Sequence, residues 1–439
     1  MNARVLALLL RPAPGRSGVV ALPATAFALV TSLVLVVVGG AQAFWTWTDP
    51  DAGLYQALAA IALVLLIVPL AGLGGAAARL SARRRDERLS TLRLLGVSPA
   101  GVVGATVLES TLVAASGAVL GAVAYLAAAP LVGMIPFRGS PLGLDAVTLP
   151  PLAITGVAAG VTALAGASAA IGLRLVVISP LGVRTRTAVP RVHWIRWVIA
   201  VGVVVLAFAT MQFFPGTAGL MITIVVVAGM FAAALAVLNL IGPWALKVHA
   251  NRTLHRAEVP TKLLAARLVL DSPKAAWRQV SGVAMASFMA VFAGTGVAMV
   301  DAMSAPGTGA EAYLGADIRT GLIITLIASF LMVAVSVGVN QASSILDQRE
   351  LHRSLHFLGL PVETVDRART RAVMAPLLLT AIGSALCAGV LVLPLIGIAL
   401  IVQPVSILTI VAVLAAGVGI VWLSTRLTRP LLGRAFVDA

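Results

Sequence analysis

Long apolar runs alternate with short charged connections along the whole chain. A membrane-crossing helix needs about 20 mostly apolar residues in a row, and about ten runs reach that length. They lie near residues 19–44, 54–78, 102–134, 149–173, 195–213, 218–245, 279–303, 320–345, 372–398 and 405–425. The third is long enough to tilt or break, and the segment AAAPLVGMIP (Ala127–Pro136) puts prolines where its outer end would break. The first run, from about Val19 to Gly40, follows Arg4, Arg11 and Arg16 and leads into AQA (Ala41–Ala43), a signal-peptidase-like site. It exceeds the roughly 7–15 residues of a signal-peptide core, so it reads as a retained span. The pattern predicts an all-α polytopic membrane protein with about ten transmembrane helices.

The connections alternate in charge. Arg79–Arg88, Arg174–Arg196, Lys247–Arg278, Arg349–Arg371 and Arg426–Arg434 hold most of the lysine and arginine. The opposite loops hold Asp49, Asp51, Asp145, Asp301, Glu311 and Asp317, with Arg138 and Arg319. By the positive-inside rule this predicts a multi-pass protein of the cell membrane with both termini cytoplasmic. Composition agrees: 60% of residues are hydrophobic and 11% charged, against about 25% charged in soluble domains. The net charge of +15 is carried by the connections, so it speaks for topology and not for nucleic acid. The outer connections, 45–53, 135–148, 214–217, 304–319 and 399–404, are too short for a folded external domain. Cys387 is the only cysteine and sits in an apolar run, where it reads as a small core residue.

Two charged stretches share a design. RRRDERLSTLRLLGVSP (Arg83–Pro99) and DQRELHRSLHFLGLP (Asp347–Pro361) each join two apolar runs. With Gly96 set on Gly359, Leu95 matches Leu358, Leu92 matches Leu355 and Glu87 matches Glu350. Each half also opens on a similar segment, RPAPGR (Arg11–Arg16) and DSPKAAWR (Asp271–Arg278). Spans 1–4 therefore parallel spans 7–10. An even number of intervening spans makes the repeats parallel, related by an axis along the membrane normal. The predicted division is 1–175 and 261–439 as two pseudo-symmetric four-helix units, with 176–260 carrying two extra helices between them.

As helices, the two stretches are amphipathic. Over about 83–96, Leu89, Leu92 and Leu95 form one stripe, Arg84, Arg85 and Glu87 occupy other faces, and Gly96 is placed to cap the end. Over about 348–359, Leu351, Leu355 and Leu358 form the stripe beside Glu350, and Gly359 followed by Pro361 stops the helix. One reading lays these helices on lipid headgroups. The other docks each into a groove on a cytoplasmic partner, which would then bind in two copies.

Catalytic motifs are absent. The chain has no G-x-x-x-x-G-K-[ST] phosphate loop, and none of its lysines, Lys247, Lys262 and Lys274, follows a glycine. It has no H-E-x-x-H zinc motif and no G-x-S-x-G elbow. His352 and His356 lie four apart, but Glu350 is off their face, so no metal site is expected. Glu109, in the first turns of span 3, is a candidate coupling acid; its bland alternative is an interfacial carboxylate. Asn239, Asn340 and Gln341 read as interhelical hydrogen-bonding groups. Gly117, Gly121, Gly156, Gly160 and Gly166 in spans 3 and 4, with Gly383 and Gly389 in span 9, read as close-packing positions.

Arg83–Val123 resembles the signature of FtsX-like permeases: a charge run, a Leu-Arg-Leu-Leu-Gly stop at Leu92–Gly96, an early acid at Glu109, then Gly117 and Gly121. The resemblance covers spans 2–4 and, more loosely, spans 8–10, where Arg93 is replaced by His356 and Thr91 by Ser354. It implies a membrane subunit of an ATP-binding-cassette transporter of the MacB type. Ten spans with two FtsX-like units also resemble BceB-type permeases of antimicrobial-peptide detoxification. Those relatives carry a large external domain after span 1 or span 7; here loops 45–53 and 304–319 are minimal.

By the same resemblance, the two charged helices are coupling helices contacting two copies of a cytoplasmic ATPase. ATP and magnesium would be bound by that partner and not by this chain. The substrate would be a hydrophobic or amphipathic compound, such as an antimicrobial peptide, exported from the bilayer. A membrane sensor protein is a further implied partner. Two alternatives stay open: a mechanotransmitting regulator that moves no substrate, and an ion-coupled secondary transporter. The near absence of ionisable residues within the spans opposes the latter.

Overall fold

A computed structural model of the chain describes residues 17–49, 52–83, 99–177, 220–303, 311–347, 359–393 and 404–430, and the single positions 202, 354, 357 and 432. Among the described residues the protein is built of long helices: α1 (Ser17–Gln42), α2 (Ala52–Arg83), α3 (Pro99–Gly133), a short α4 (Leu144–Val147), α5 (Pro151–Val177), α6 (Leu220–His255), α7 (Pro260–Asp271), α8 (Pro273–Met303), α9 (Glu311–Asp347), α10 (Val362–Leu391) and α11 (Pro404–Leu427). The only strands among them are β1 (Pro136–Phe137) and β2 (Ser140–Pro141), an antiparallel pair. This is an all-α polytopic membrane protein. Eight of the helical stretches are long and apolar enough to cross a bilayer, and nine if the bent pair within α2 is one span. They coincide with the predicted runs, except that the run over 195–213 lies outside the described residues apart from Gly202.

The third run does end inside Ala127–Pro136, though not at Pro130 itself. α3 runs through Pro130 without interruption and ends at Gly133. A proline so near the C-terminus removes one backbone bond from a turn that is ending anyway. The bend falls instead in α2, where the helix turns by 40° between Ile67 and Pro69, as a mid-helix proline dictates. Polar residues assigned to outer loops also prove helical. Asp301 belongs to α8, and Glu311, Asp317 and Arg319 belong to α9, with Asp317 buried.

Contacts divide the chain into two compact units, Met1–Arg186 with Val335–Gln348, and Thr187–Ala334 with Arg349–Ala439. In the first, α1 packs along α3, and α5 and α2 complete the cluster. Small residues permit this: Cβ atoms built at Gly117 and Gly121 would each lie 2.5 Å from a backbone oxygen of α1. Leu35, Tyr125, Ala129 and Leu149 form a buried group at one end. Tyr125 is fully buried; its hydroxyl donates to the Val147 carbonyl at 2.8 Å and accepts the Leu149 N–H at 2.8 Å. A buried tyrosine needs such partners.

In the second unit α8 is the central helix, packed on α10, α6 and α11. Phe288, Ala234, Ala388 and Leu391 form its core, with Cys387 against it. The Trp277 indole N–H donates to Asn239 Oδ1 at 2.7 Å, so Asn239 is an interhelical hydrogen-bonding residue joining α6 to α8. Phe330 of α9 lies against Gly417 of α11, and Ser424 Oγ donates to the Ala334 carbonyl at 2.5 Å.

Candidate functional site

The candidate coupling stretches sit between spans. The first leaves the end of α2 at Arg83 and rejoins the chain at Pro99, the start of α3. Arg84, Arg85, Glu87, Leu89, Leu92, Leu95 and Gly96 lie outside the described residues, as do Glu350, Leu351, Leu355 and Leu358. Of the second stretch, Ser354 and Phe357 are helical and exposed, the phenyl side chain by 73%. Gly359 has φ 76°, the left-handed conformation in which glycine ends a helix without Cβ strain. Pro361 follows in extended backbone as the residue before α10.

The first turns of α10 are polar and held in place. Glu363 and Arg367 pair at 2.9 Å one turn apart on the exposed face. Asp366 is buried and lies 3.6 Å from Arg429, just after α11, which ties the two helices at this end. Arg369 is buried beside them. In the first unit, Glu109 is half-buried on α3 at the beginning of its apolar stretch, Val107–Gly133. Its counterpart at the same offset is Ala372, preceded by Arg371.

The loops at the far end of the first unit fold into a cap. The chain after α1 makes a short turn over Ala43–Thr46, and β1 and β2 form a two-residue hairpin at the end of α3. Arg138 and Gly139 both have positive φ, 51° and 74°, as the type I′ hairpin turn requires. That turn carries the Arg138 guanidinium to 4.1 Å from the Trp47 ring centroid and 4.5 Å from that of Tyr55. Arg138 also pairs with Asp49. Phe44 packs edge-on against Trp47 at 5.2 Å and Phe137 at 5.1 Å. Burial works to lower the Arg138 pKa, but hydrogen bonds to Tyr55 and Asp49 outweigh it and hold the group above its ordinary value. The cation is fixed, and it joins the loop after α1 to the loop after α3.

Sequence reasoning missed this cap because its residues are scattered over two loops that are short individually. It also missed α7, which lies in a connection read only as basic, and exposed Phe357.

Removing the clasp has a modest expected cost. Arg138→Ala forfeits two ring contacts and one ion pair with a carboxylate whose side chain is 41% exposed, for about 1–2 kcal/mol of stability. Arg138→Lys should lose part of that, since an ammonium lacks the planar fork. Thermal unfolding in detergent reads both; equal stability of Arg138→Ala and the parent would show that the clasp holds nothing.

Among known proteins, no curated protein and no solved structure matches this chain. Residues 59–180 match the family model described as FtsX-like permease C-terminal, a stretch running from within α2, through the first charged connection, across α3 and α5. The match supports a membrane permease of the ATP-binding-cassette type.

Proposed function

We propose that this chain is the permease subunit of an ATP-binding-cassette transporter, driven by two cytoplasmic ATPase subunits that dock on the stretches 83–96 and 348–359. The observation that carries the reading is the FtsX-like match over 59–180, which contains the whole of the first charged stretch. ATP and magnesium are handled by the partner, since the chain has no phosphate loop of its own. The stripes Leu89, Leu92, Leu95 and Leu351, Leu355, Leu358 fill the ATPase grooves; Arg84, Arg85, Glu87 and Glu350 ring them, and Gly96 and Gly359 end the helices. Glu109, on α3 at the start of its apolar stretch, is a candidate for relaying that motion into the bilayer.

Ten spans in two parallel four-helix units, with both termini cytoplasmic, fit this arrangement. The packing favours it: α1 packs along α3 in one unit, and α8 along α10 in the other, which are the equivalent first and third spans of the two repeats. The substrate class is hydrophobic or amphipathic, an antimicrobial compound or peptide leaving the bilayer outward. The folded cap built on Arg138 favours a second reading, in which the ATPase cycle is transmitted mechanically to an external partner such as a membrane sensor, without transport.

Co-purification with the ATPase encoded beside this chain tests the docking. With ATP bound and hydrolysis blocked, the expected ratio is two ATPases per permease. Replacing Leu92 and Leu95 with Asp should reduce it to one, and adding the same change at Leu355 and Leu358 should abolish it. Full stoichiometry in the fourfold variant, properly inserted in the membrane, would remove the coupling assignment.

A further inference from the structure

We infer that the second unit carries a binding site for the headgroup of an anionic phospholipid, formed where α6, α7 and α10 meet. A cavity of about 390 Å³ opens there, and His249, Arg252, Arg256, Lys262 and Arg371 line it. That volume falls within the roughly 300–1,000 Å³ of small-molecule sites. No acidic side chain lines the cavity, and among the described residues neither its three arginines nor Lys262 forms an ion pair. The backbone adds to the field. Lys262 lies in the first turn of α7, whose Lys262 and Leu263 N–H groups bond to the Val259 carbonyl, so the backbone contributes only the partial positive end of the helix dipole there.

A basic connection at a membrane surface is ordinary, and solvated arginines need no ligand. Three features set this one apart. The cations come from three separate helical segments and converge on a single concavity. Apart from Thr253, whose hydroxyl donates to the His249 carbonyl, the rest of its wall is apolar, including Leu246, Ala266, Val269, Ala375 and Pro376. The change from one lining to the other falls at the membrane boundary read from the sequence, where the apolar run of α6 ends near residue 245 and that of α10 begins near 372. Arg371 is thus the last charge before the apolar run, and Ala375 and Pro376 lie one turn inside it.

A phospholipid has the same polarity over the same distance. Its phosphate would meet the arginines and Lys262, and its glycerol and upper acyl chain would meet the apolar wall. Free phosphate would leave that wall unused, and so would an acidic loop of a soluble partner. α7 points the same way: Ala265, Ala266 and Val269 are buried against the unit, while Leu263 and Leu268 are exposed by 46% and 40%. Exposed leucines on a short helix joining two spans are covered when that helix lies in the interface. Basic pockets between membrane helices recognise lipid headgroups through this combination of charge and depth.

The test is a native mass-spectrometry titration of the purified full chain with phosphatidylglycerol and, separately, phosphatidylcholine. The parent protein should bind phosphatidylglycerol at least about tenfold more tightly. The double variant Arg252→Gln with Arg371→Gln should lose roughly ten- to thirtyfold of that affinity, from the electrostatic share of two cations. Arg267→Gln removes a charge from the same connection at an exposed position that does not line the cavity, and should leave binding unchanged.

Equal affinity for the two lipids in the parent protein would overturn the site, whatever the variants do. So would an equal loss in Arg267→Gln, which would mean diffuse attraction. Displacement by millimolar inorganic phosphate would reassign the cavity to a free anion, and displacement by a polyglutamate peptide to an acidic protein; either overturns the lipid. If the double variant does not fold, Lys262→Gln takes its place, with an expected loss of about fivefold.

Discussion

Valine at position 121 is expected to force α1 and α3 apart and to cost the first unit several kcal/mol. The side chain has nowhere to go. A Cβ at Gly121 would lie 2.5 Å from the Ala28 carbonyl oxygen and 2.7 Å from Thr31 Cβ; at Gly117 it would lie 2.5 Å from the Ala24 oxygen and 2.7 Å from Phe27 Cβ. The nearest obstacle in each case is backbone, which cannot swing aside as a side-chain tip can. Overpacking of a tight contact costs about 1–3 kcal/mol, which sets the expectation for Gly121→Ala, and valine adds two further methyl groups. The four-residue spacing puts both glycines on one face, so Gly117→Ala should behave alike. Gly156→Val and Gly160→Val are the controls, because a Cβ at either meets nothing within 4 Å. Denaturant unfolding in detergent reads the difference. Equal losses at 121 and 160 would mean that these glycines matter for something other than the α1–α3 contact.

That contrast also shows what a sequence can and cannot say here. Gly117, Gly121, Gly156 and Gly160 look alike along the chain, as small residues at close spacing in apolar runs. Only the first pair faces another helix at backbone distance. In a span that is apolar all round, periodicity does not tell the packed face from the lipid face. The spans themselves were legible because a bilayer imposes one length and one polarity on each. Their ends were less so. Charge places Glu311, Asp317 and Arg319 in a loop, yet α9 begins at Glu311 and buries Asp317. The bend at Pro69 leaves no mark on hydropathy, because its run is apolar on both sides of the proline.

The candidate site divides in the same way. Gly359 could be placed from sequence, since a stop between a Leu stripe and Pro361 leaves few alternatives, and it has the positive φ that such a stop uses. The cation cavity could not. Arg252, Lys262 and Arg371 belong to segments more than a hundred residues apart at the extreme, and only the packing of α10 on α7 brings them together. One signal was available. The segment AARLVLDSPKAAWR, from α7 into the start of α8, echoes ARVLALLLRPAPGR before α1, with an Ala-Arg pair, an apolar stretch, a proline and a final arginine.

Gly242→Val is expected to be as damaging to the second unit as the loss of Trp277 itself. The Trp277 ring lies directly over Gly242, within the space a Cβ would occupy, and its Nε1 donates to Asn239 Oδ1 at 2.7 Å. The indole is only 6% exposed, at the start of α8. A side chain at 242 must therefore expel the ring, forfeiting its packing, about 3–5 kcal/mol for a buried tryptophan cut to alanine. The expulsion also breaks a hydrogen bond between membrane helices, worth about 0.6–1.7 kcal/mol. The claim is about mechanism, so a double-mutant cycle is the measurement. If valine acts by displacing the ring, Trp277→Ala removes what is displaced, and the double variant should be no less stable than either single one. Asn239→Leu should cost only the hydrogen bond. Strict additivity of Gly242→Val and Trp277→Ala would show that the glycine serves another contact. Because α6 and α8 both pack on α7, this joint also sets the wall of the cation cavity. The variants that lose it should lose phosphatidylglycerol selectivity with it, while the Arg138 variants, in the other unit, should keep it.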